Sequence, residues 1–114
     1  MGKRILIVDD SSMMRKMITK TLIDEGHVIV GEAKNGLEAI ELYQALKPDL
    51  VTMDITMRDM DGFSAARQIL ENDADARIVF VSNLDEKKYG ENIARIGALG
   101  YVSKNKARKL LDLI

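Results

Sequence analysis

Five short apolar bursts punctuate the chain: "RILIV" at 4–8, "VIVGE" at 28–32, "LVTM" at 50–53, "IVFVS" at 78–82 and "GYVS" at 100–103. They are rich in β-branched residues, and most lack in-out alternation, which is the pattern of parallel strands covered on both faces. Between them, apolar residues recur at helical spacing. Met14, Met17, Ile18 and Leu22 form a stripe after Ser11 and Ser12, either of which can serve as an N-cap. Leu37, Ile40 and Tyr43 form a second, running from "NG" to Pro48. Ala66, Ile69 and Leu70 suggest a third, and Tyr89, Ile93 and Ile96 a fourth closed by Gly97. Ala107, Leu110, Leu111 and Ile114 make a fifth, in a helix beginning near Asn105. Methionines at these positions read as core filler. Five strand-helix units in series predict an α/β doubly wound fold, because parallel strands need crossover helices and right-handed crossovers leave few topologies.

Composition narrows the picture. A chain of 114 residues, 46% hydrophobic, is the size of one domain, expected over 1–114 with no linker or repeat. The formal charge of -1 lacks the basic excess of a nucleic-acid binder, and the one basic cluster, "KNKARK" at 104–109, reads as a solvated helix face. There is no cysteine, which excludes disulfides and thiolate metal sites. The single histidine, His27, leaves no multi-histidine metal site and no conventional serine triad, and is expected to lie exposed where the second strand begins. No apolar run approaches the roughly 20 residues that span a bilayer. The start, "MGKRILIVDD", is too short in its apolar part for a signal peptide. A cytoplasmic location without membrane insertion is expected.

The carboxylates change the picture most. In "DLVTMDITMRDMDG", residues 49 to 62, an apolar run stops at Asp54, with Asp59 and Asp61 close behind. The first strand likewise runs into Asp9 and Asp10. In an open α/β sheet, ligands bind beyond the carboxyl ends of the strands where strand order reverses. Asp9 and Asp10 end strand one, Asp54 ends strand three, Ser82 ends strand four and Lys104 follows strand five. If strands one and three are neighbours, these groups converge on one edge.

Carboxylates held together raise each other's pKa unless a cation sits among them. Oxygen-only ligands favour a hard cation such as Mg²⁺. A serine hydroxyl and an ammonium facing such a group suit a further anion, and phosphate is the obvious one. A carboxylate can itself be the nucleophile in phosphoryl transfer. Read from its residues, the cluster is an aspartyl-phosphate site.

These motifs together resemble the CheY-like response-regulator receiver domain, over essentially the whole chain. The resemblance rests on "ILIVDD", the acceptor in "DLVTMD", "MDG" at 60–62, "VS" at 81–82, "GALGY" at 97–101 and Lys104. It implies a flavodoxin-like (βα)5 fold with a five-stranded parallel sheet in the order 2-1-3-4-5, an order taken from the family. It further implies that Asp54 accepts phosphate from a sensor histidine kinase. Asp10, Asp54 and the backbone carbonyl of Thr56 would ligate Mg²⁺, with Asp9 acting partly through water. Lys104 would pair with the phosphoryl group, Ser82 would move to bond it and Tyr101 would rotate inward behind Ser82. The output would be a protein target at the face of the fourth helix, fifth strand and fifth helix, with no nucleic acid bound directly. "DDSSMMRKMI" and "VTMDITM" look most like stand-alone chemotaxis regulators. Phosphotransfer and hydrolysis would be self-catalysed, so the chain is not expected to be an enzyme with a diffusible product.

Two departures from the family stand out. Arg58 occupies a loop position where receivers commonly carry proline, and is expected either as an exposed loop side chain or as one reaching the acidic site or a partner. Asn105 follows Lys104 where the family has proline behind a cis bond. A cis bond before a non-proline residue costs roughly 2.5–4 kcal/mol, so either strain is stored or the bond is trans, and a trans bond could displace Lys104 and weaken phosphate binding. Asn105 therefore keeps alive a rival reading, an unphosphorylated pseudo-receiver acting as a constitutive interaction module. A Mg²⁺-dependent aspartyl-phosphate hydrolase is a second rival, but its Asp-x-Asp spacing is absent because Thr56 follows Asp54 by two.

Overall fold

The five apolar runs pair side by side, and every pairing is parallel. The computed structural model describes residues 2–83 and 86–114, with the side chains of 86–89 left out. Strands β1 (Arg4–Val8), β2 (Val28–Ala33), β3 (Leu50–Met53), β4 (Ile78–Ser82) and β5 (Gly100–Ser103) alternate with helices α1 (Ser12–Asp24), α2 (Gly36–Leu46), α3 (Gly62–Asn72) and α4 (Glu86–Ile96), and a C-terminal 3-10 helix spans Lys104–Asp112. The sheet order is β2-β1-β3-β4-β5, the flavodoxin-like order expected.

The missing alternation in the strands now has its cause. Successive residues point to opposite faces, and both faces are covered. Leu6, Val8, Val51, Met53, Ile78 and Phe80 meet Ala39 and Tyr43 of α2, Ala65, Ala66 and Ile69 of α3, and Ile93 of α4. Their neighbours Ile5, Ile7, Leu50, Val79, Val81 and Val102 meet Ile18 and Leu22 of α1 and Leu110 of the 3-10 helix.

Helix starts follow their side chains. Ser11, not Ser12, caps α1 by accepting from the Met14 N–H. Asn35 caps α2 by accepting from the Glu38 N–H at 2.9 Å, and the Glu38 carboxylate returns to the Lys34 N–H at 2.9 Å. Lys47 ends α2 in the left-handed region, just before Pro48.

Several expectations need correction. Met17 and Leu37 are 43% and 51% exposed, so they border the buried stripes of α1 and α2, and Ala39 carries the burial assigned to Leu37. Tyr89 of the fourth stripe lies outside the described side chains. The fifth helix is 3-10 and is broken at Lys106, whose φ of -130° and ψ of 45° are not helical. Its buried residues, Ala107 and Leu110, stand three apart, the spacing that stacks on one face of a 3-10 turn. His27 is half-buried, not exposed, and its Nδ1 accepts from the Lys3 N–H at 3.0 Å. The reason is that β2 starts against the N-terminal segment, with the Val28 N–H donating to the Lys3 carbonyl.

Candidate functional site

Register brings the acidic residues together. β1 and β3 pair Ile5 with Leu50 and Val8 with Met53, so Asp9 and Asp54 leave the sheet at the same level. The ladder runs one residue further: the Asp54 N–H donates to the Val8 carbonyl at 2.9 Å, and the Asp9 N–H to the Ala33 carbonyl at 3.0 Å. Asp9 and Asp54 are buried at 1% and 3% exposure, while Asp10 is exposed. One carboxylate oxygen from each of the three lies within 4.8 Å of the others.

Lys104 enters from β5. β4 and β5 pair Ser82 with Ser103, which places Lys104 one residue beyond the sheet. Its ammonium lies 3.0 Å from Asp9 Oδ2 and 3.4 Å from Asp54 Oδ2, with the side chain 13% exposed. The shorter contact, to Asp9, is an ion pair, and the longer one, to Asp54, is also a hydrogen bond. Among the described residues every peptide bond is trans, Lys104–Asn105 included. The bond is trans, and the Lys104 ammonium reaches both carboxylates with it. Strand register sets where its backbone leaves the sheet, the Ser103 hydroxyl holds the Asn105 N–H at 3.3 Å, and the flexible stem reaches the carboxylates.

The charges do not balance. Burial pushes the Asp54 carboxyl up to about 6, Asp9 and Asp10 push the same way, and Lys104 opposes them. For Lys104, burial acts to lower the pKa, but its contacts with Asp9 and Asp54 outweigh it and the net shift is upward. One lysine therefore leaves the cluster with excess negative charge. That excess and the oxygen-only donor set fit a hard divalent cation.

The other predicted residues surround this centre. Ser82 is buried at the end of β4. The half-buried Tyr101 donates its hydroxyl to the Ser82 carbonyl at 2.9 Å, so the two are linked across β4 and β5. Thr56 is exposed in the loop after β3, and Arg58, also exposed, lines a cavity shared with Asp10, Lys34, Asn35 and Asp59. The remaining aspartates of the motif do other work. Asp61 caps α3 by accepting from the Ser64 N–H at 2.8 Å. Asp59, at a φ of 70°, sits in a tight turn closed by the Met60 N–H on the Arg58 carbonyl. Gly62 explains the "MDG" motif: a Cβ there would stand 2.0 Å from the Asp54 carbonyl oxygen.

One contributor escaped sequence reasoning. Arg15 of α1, 12% exposed, donates from Nη1 to the Asp9 carbonyl at 2.7 Å and from Nε to Glu32 of β2 at 3.0 Å. Its partners lie 6 and 17 residues away, so no local pattern marks it.

A doubly wound parallel sheet with carboxylates and a lysine gathered beyond the ends of β1, β3 and β5 defines an α/β domain with an acidic cluster at one edge. The family described as "Response regulator receiver domain" matches residues 5–114, and the chain belongs to it. Within the family it is CheY-like. It is 43% identical to the chemotaxis protein CheY of Bacillus subtilis, covering 100% of this chain and 96% of that one. It is 42% identical to the chemotaxis protein CheY of Thermotoga maritima, covering 91% of this chain and 87% of the other. Among solved structures, the CheX–CheY–BeF3–Mg complex from Borrelia burgdorferi aligns with a TM-score of 0.92 at 34% identity, covering 96% of this chain and 84% of that one.

Proposed function

We propose that this chain is a phosphoacceptor of a two-component system. Asp54 takes a phosphoryl group from a phosphohistidine on a sensor histidine kinase, and the modified domain switches a protein-protein surface in chemotaxis. The reading is carried by one observation: three carboxylates gather within 4.8 Å, with the Lys104 ammonium 3.4 Å from Asp54.

In the transfer, an Asp54 oxygen forms a bond to phosphorus as the bond to the kinase imidazole breaks. The imidazole keeps the electron pair and takes up a proton. Charge spreads over the equatorial phosphoryl oxygens. Lys104, the Ser82 hydroxyl and N–H groups of the loop after β3 stabilise it. Asp10, Asp54 and the Thr56 carbonyl, with Asp9 partly through water, would hold Mg²⁺. When bound, the ion neutralises negative charge shared by the carboxylates and the phosphoryl oxygens.

The modification adds roughly -1.5 to -2 charges. Ser82 moves to bond a phosphoryl oxygen, and because Tyr101 is bonded to the Ser82 carbonyl, the movement is transmitted to Tyr101. The surface of α4, β5 and the 3-10 helix then changes for a downstream protein. The Borrelia burgdorferi complex, which contains CheY, CheX, BeF3 and Mg, supports both the ion and a protein partner. Transfer and hydrolysis are self-catalysed, and the protein acts in the cytoplasm without binding nucleic acid directly. Among the described residues, no helix is long and apolar enough to cross a membrane.

The test is incubation with acetyl phosphate and Mg²⁺ followed by intact-mass measurement. Wild type gains one phosphoryl group and Asp54→Asn gains none. No gain in wild type, or the same gain in Asp54→Asn, refutes the reading.

A further inference from the structure

The Asp9 side chain and backbone are held from four directions. Its N–H donates to Ala33, its Oδ1 accepts from the Ser11 N–H at 2.8 Å, its Oδ2 faces Lys104, and its carbonyl accepts from Arg15. The first three hold Asp9 itself. The fourth acts on Asp10, because the Asp9 carbonyl and the Asp10 N–H belong to one planar peptide unit. Asp10 is exposed just past the end of β1, and among the described residues the strand pairings of β1 stop at Val8.

We propose that Arg15 is a positioning residue for the acidic cluster: anchored by Glu32, its guanidinium clamps the Asp9 carbonyl and sets the Asp9–Asp10 peptide in the orientation that an octahedral cation requires. The inference rests on the reading that the cluster holds Mg²⁺. Arginine suits the task because its rigid fork serves two acceptors at once, here 2.7 Å away just past the end of β1 and 3.0 Å away on β2. Mg²⁺ tolerates little departure from octahedral geometry, whereas Ca²⁺ accepts flexible coordination. A loosened Asp10 is therefore felt by Mg²⁺ far more than by Ca²⁺.

Electrostatics alone makes the opposite prediction. Arg15 is a cation near the carboxylates, so removing its charge without losing geometry would tighten the binding of any divalent ion. The direction of the change thus separates positioning from charge.

The experiment is calorimetric titration of the unphosphorylated protein with Mg²⁺ and with Ca²⁺, for wild type, Arg15→Ala, Arg15→Lys and Glu32→Gln, beside thermal melts in EDTA. Arg15→Ala is expected to weaken Mg²⁺ binding about tenfold, the usual scale for losing a residue that orients a metal ligand, and Ca²⁺ less than about threefold. Arg15→Lys keeps the charge and one donor and falls between. Glu32→Gln shifts Mg²⁺ affinity in the same direction by less. Unchanged or tighter Mg²⁺ binding in a folded Arg15→Ala, or equal weakening for both ions, overturns the inference and leaves the proposed function standing. Should Arg15→Ala fail to fold, Arg15→Lys is judged by the same criterion. If wild type takes up no Mg²⁺, the proposed function falls and takes the inference with it.

Discussion

Lys104 stands 3.4 Å from Asp54, although the two side chains leave the ends of different strands and lie 50 residues apart. The contact offsets only part of the upward pKa shift that burial and Asp9 impose on Asp54. On the proposed function, its larger use comes when a phosphoryl group adds charge to the same pocket. Lys104→Ala is expected to slow phosphoryl uptake from acetyl phosphate at least about tenfold, a typical loss for one preorganised electrostatic group, while Mg²⁺ binding persists. Time-resolved intact-mass measurement beside calorimetry checks it. Uptake at the wild-type rate would remove Lys104 from the site.

The raised Asp54 pKa makes stability depend on pH. In the folded protein the carboxyl holds its proton up to about pH 6, against 3.8 ordinarily. The folded state therefore binds more protons between these values, and stability falls as pH rises through that window. In EDTA, Asp54→Asn is expected to be more stable than wild type by about 2–3 kcal/mol at pH 7. The difference should shrink toward zero near pH 4. Urea denaturation across pH 4–8 reads it directly, and a difference that does not vary with pH contradicts the assignment.

Thr52 carries its hydroxyl into the core at 1% exposure, and among the described residues Oγ1 has no hydrogen-bond partner. A buried polar group left unpaired costs stability, and replacing it by an apolar group of the same shape removes that cost. Thr52→Val should raise stability by about 1 kcal/mol. A loss in denaturant melts would reveal a partner for the hydroxyl.

Gly62 opens α3, where alanine would ordinarily favour a helix. Here the Cβ would strike the Asp54 carbonyl oxygen. Gly62→Ala is therefore expected to destabilise the protein by about 3 kcal/mol or more and to weaken Mg²⁺ binding together with it. A neutral or stabilising result would mean that the loop after β3 can move away from the strand end.

Much of this protein is legible in one dimension because burial on both faces leaves an unbroken apolar run. "ILIV", "LVTM" and "IVFV" read as strands, and the aspartates that stop the first two and the serine that ends the third mark one edge of the sheet. What misled were positions whose spacing was right but whose neighbours were distant. Met17 and Leu37 fit their stripes, yet face the solvent side of them. Asn105 suggested a displaced lysine, until the register of β5 showed where Lys104 begins.

Taken alone, the order of residues determined the alternation of strands and helices, because that depends on local periodicity and capping. It also determined which chemical groups stand at strand ends. Only the tertiary structure decided that Asp9, Asp10, Asp54 and Lys104 meet, and that Arg15 grips the Asp9 carbonyl. Those contacts arise from strand register and crossover packing between segments far apart in the chain, and distances of 3 Å between such segments are set by the packed sheet as a whole.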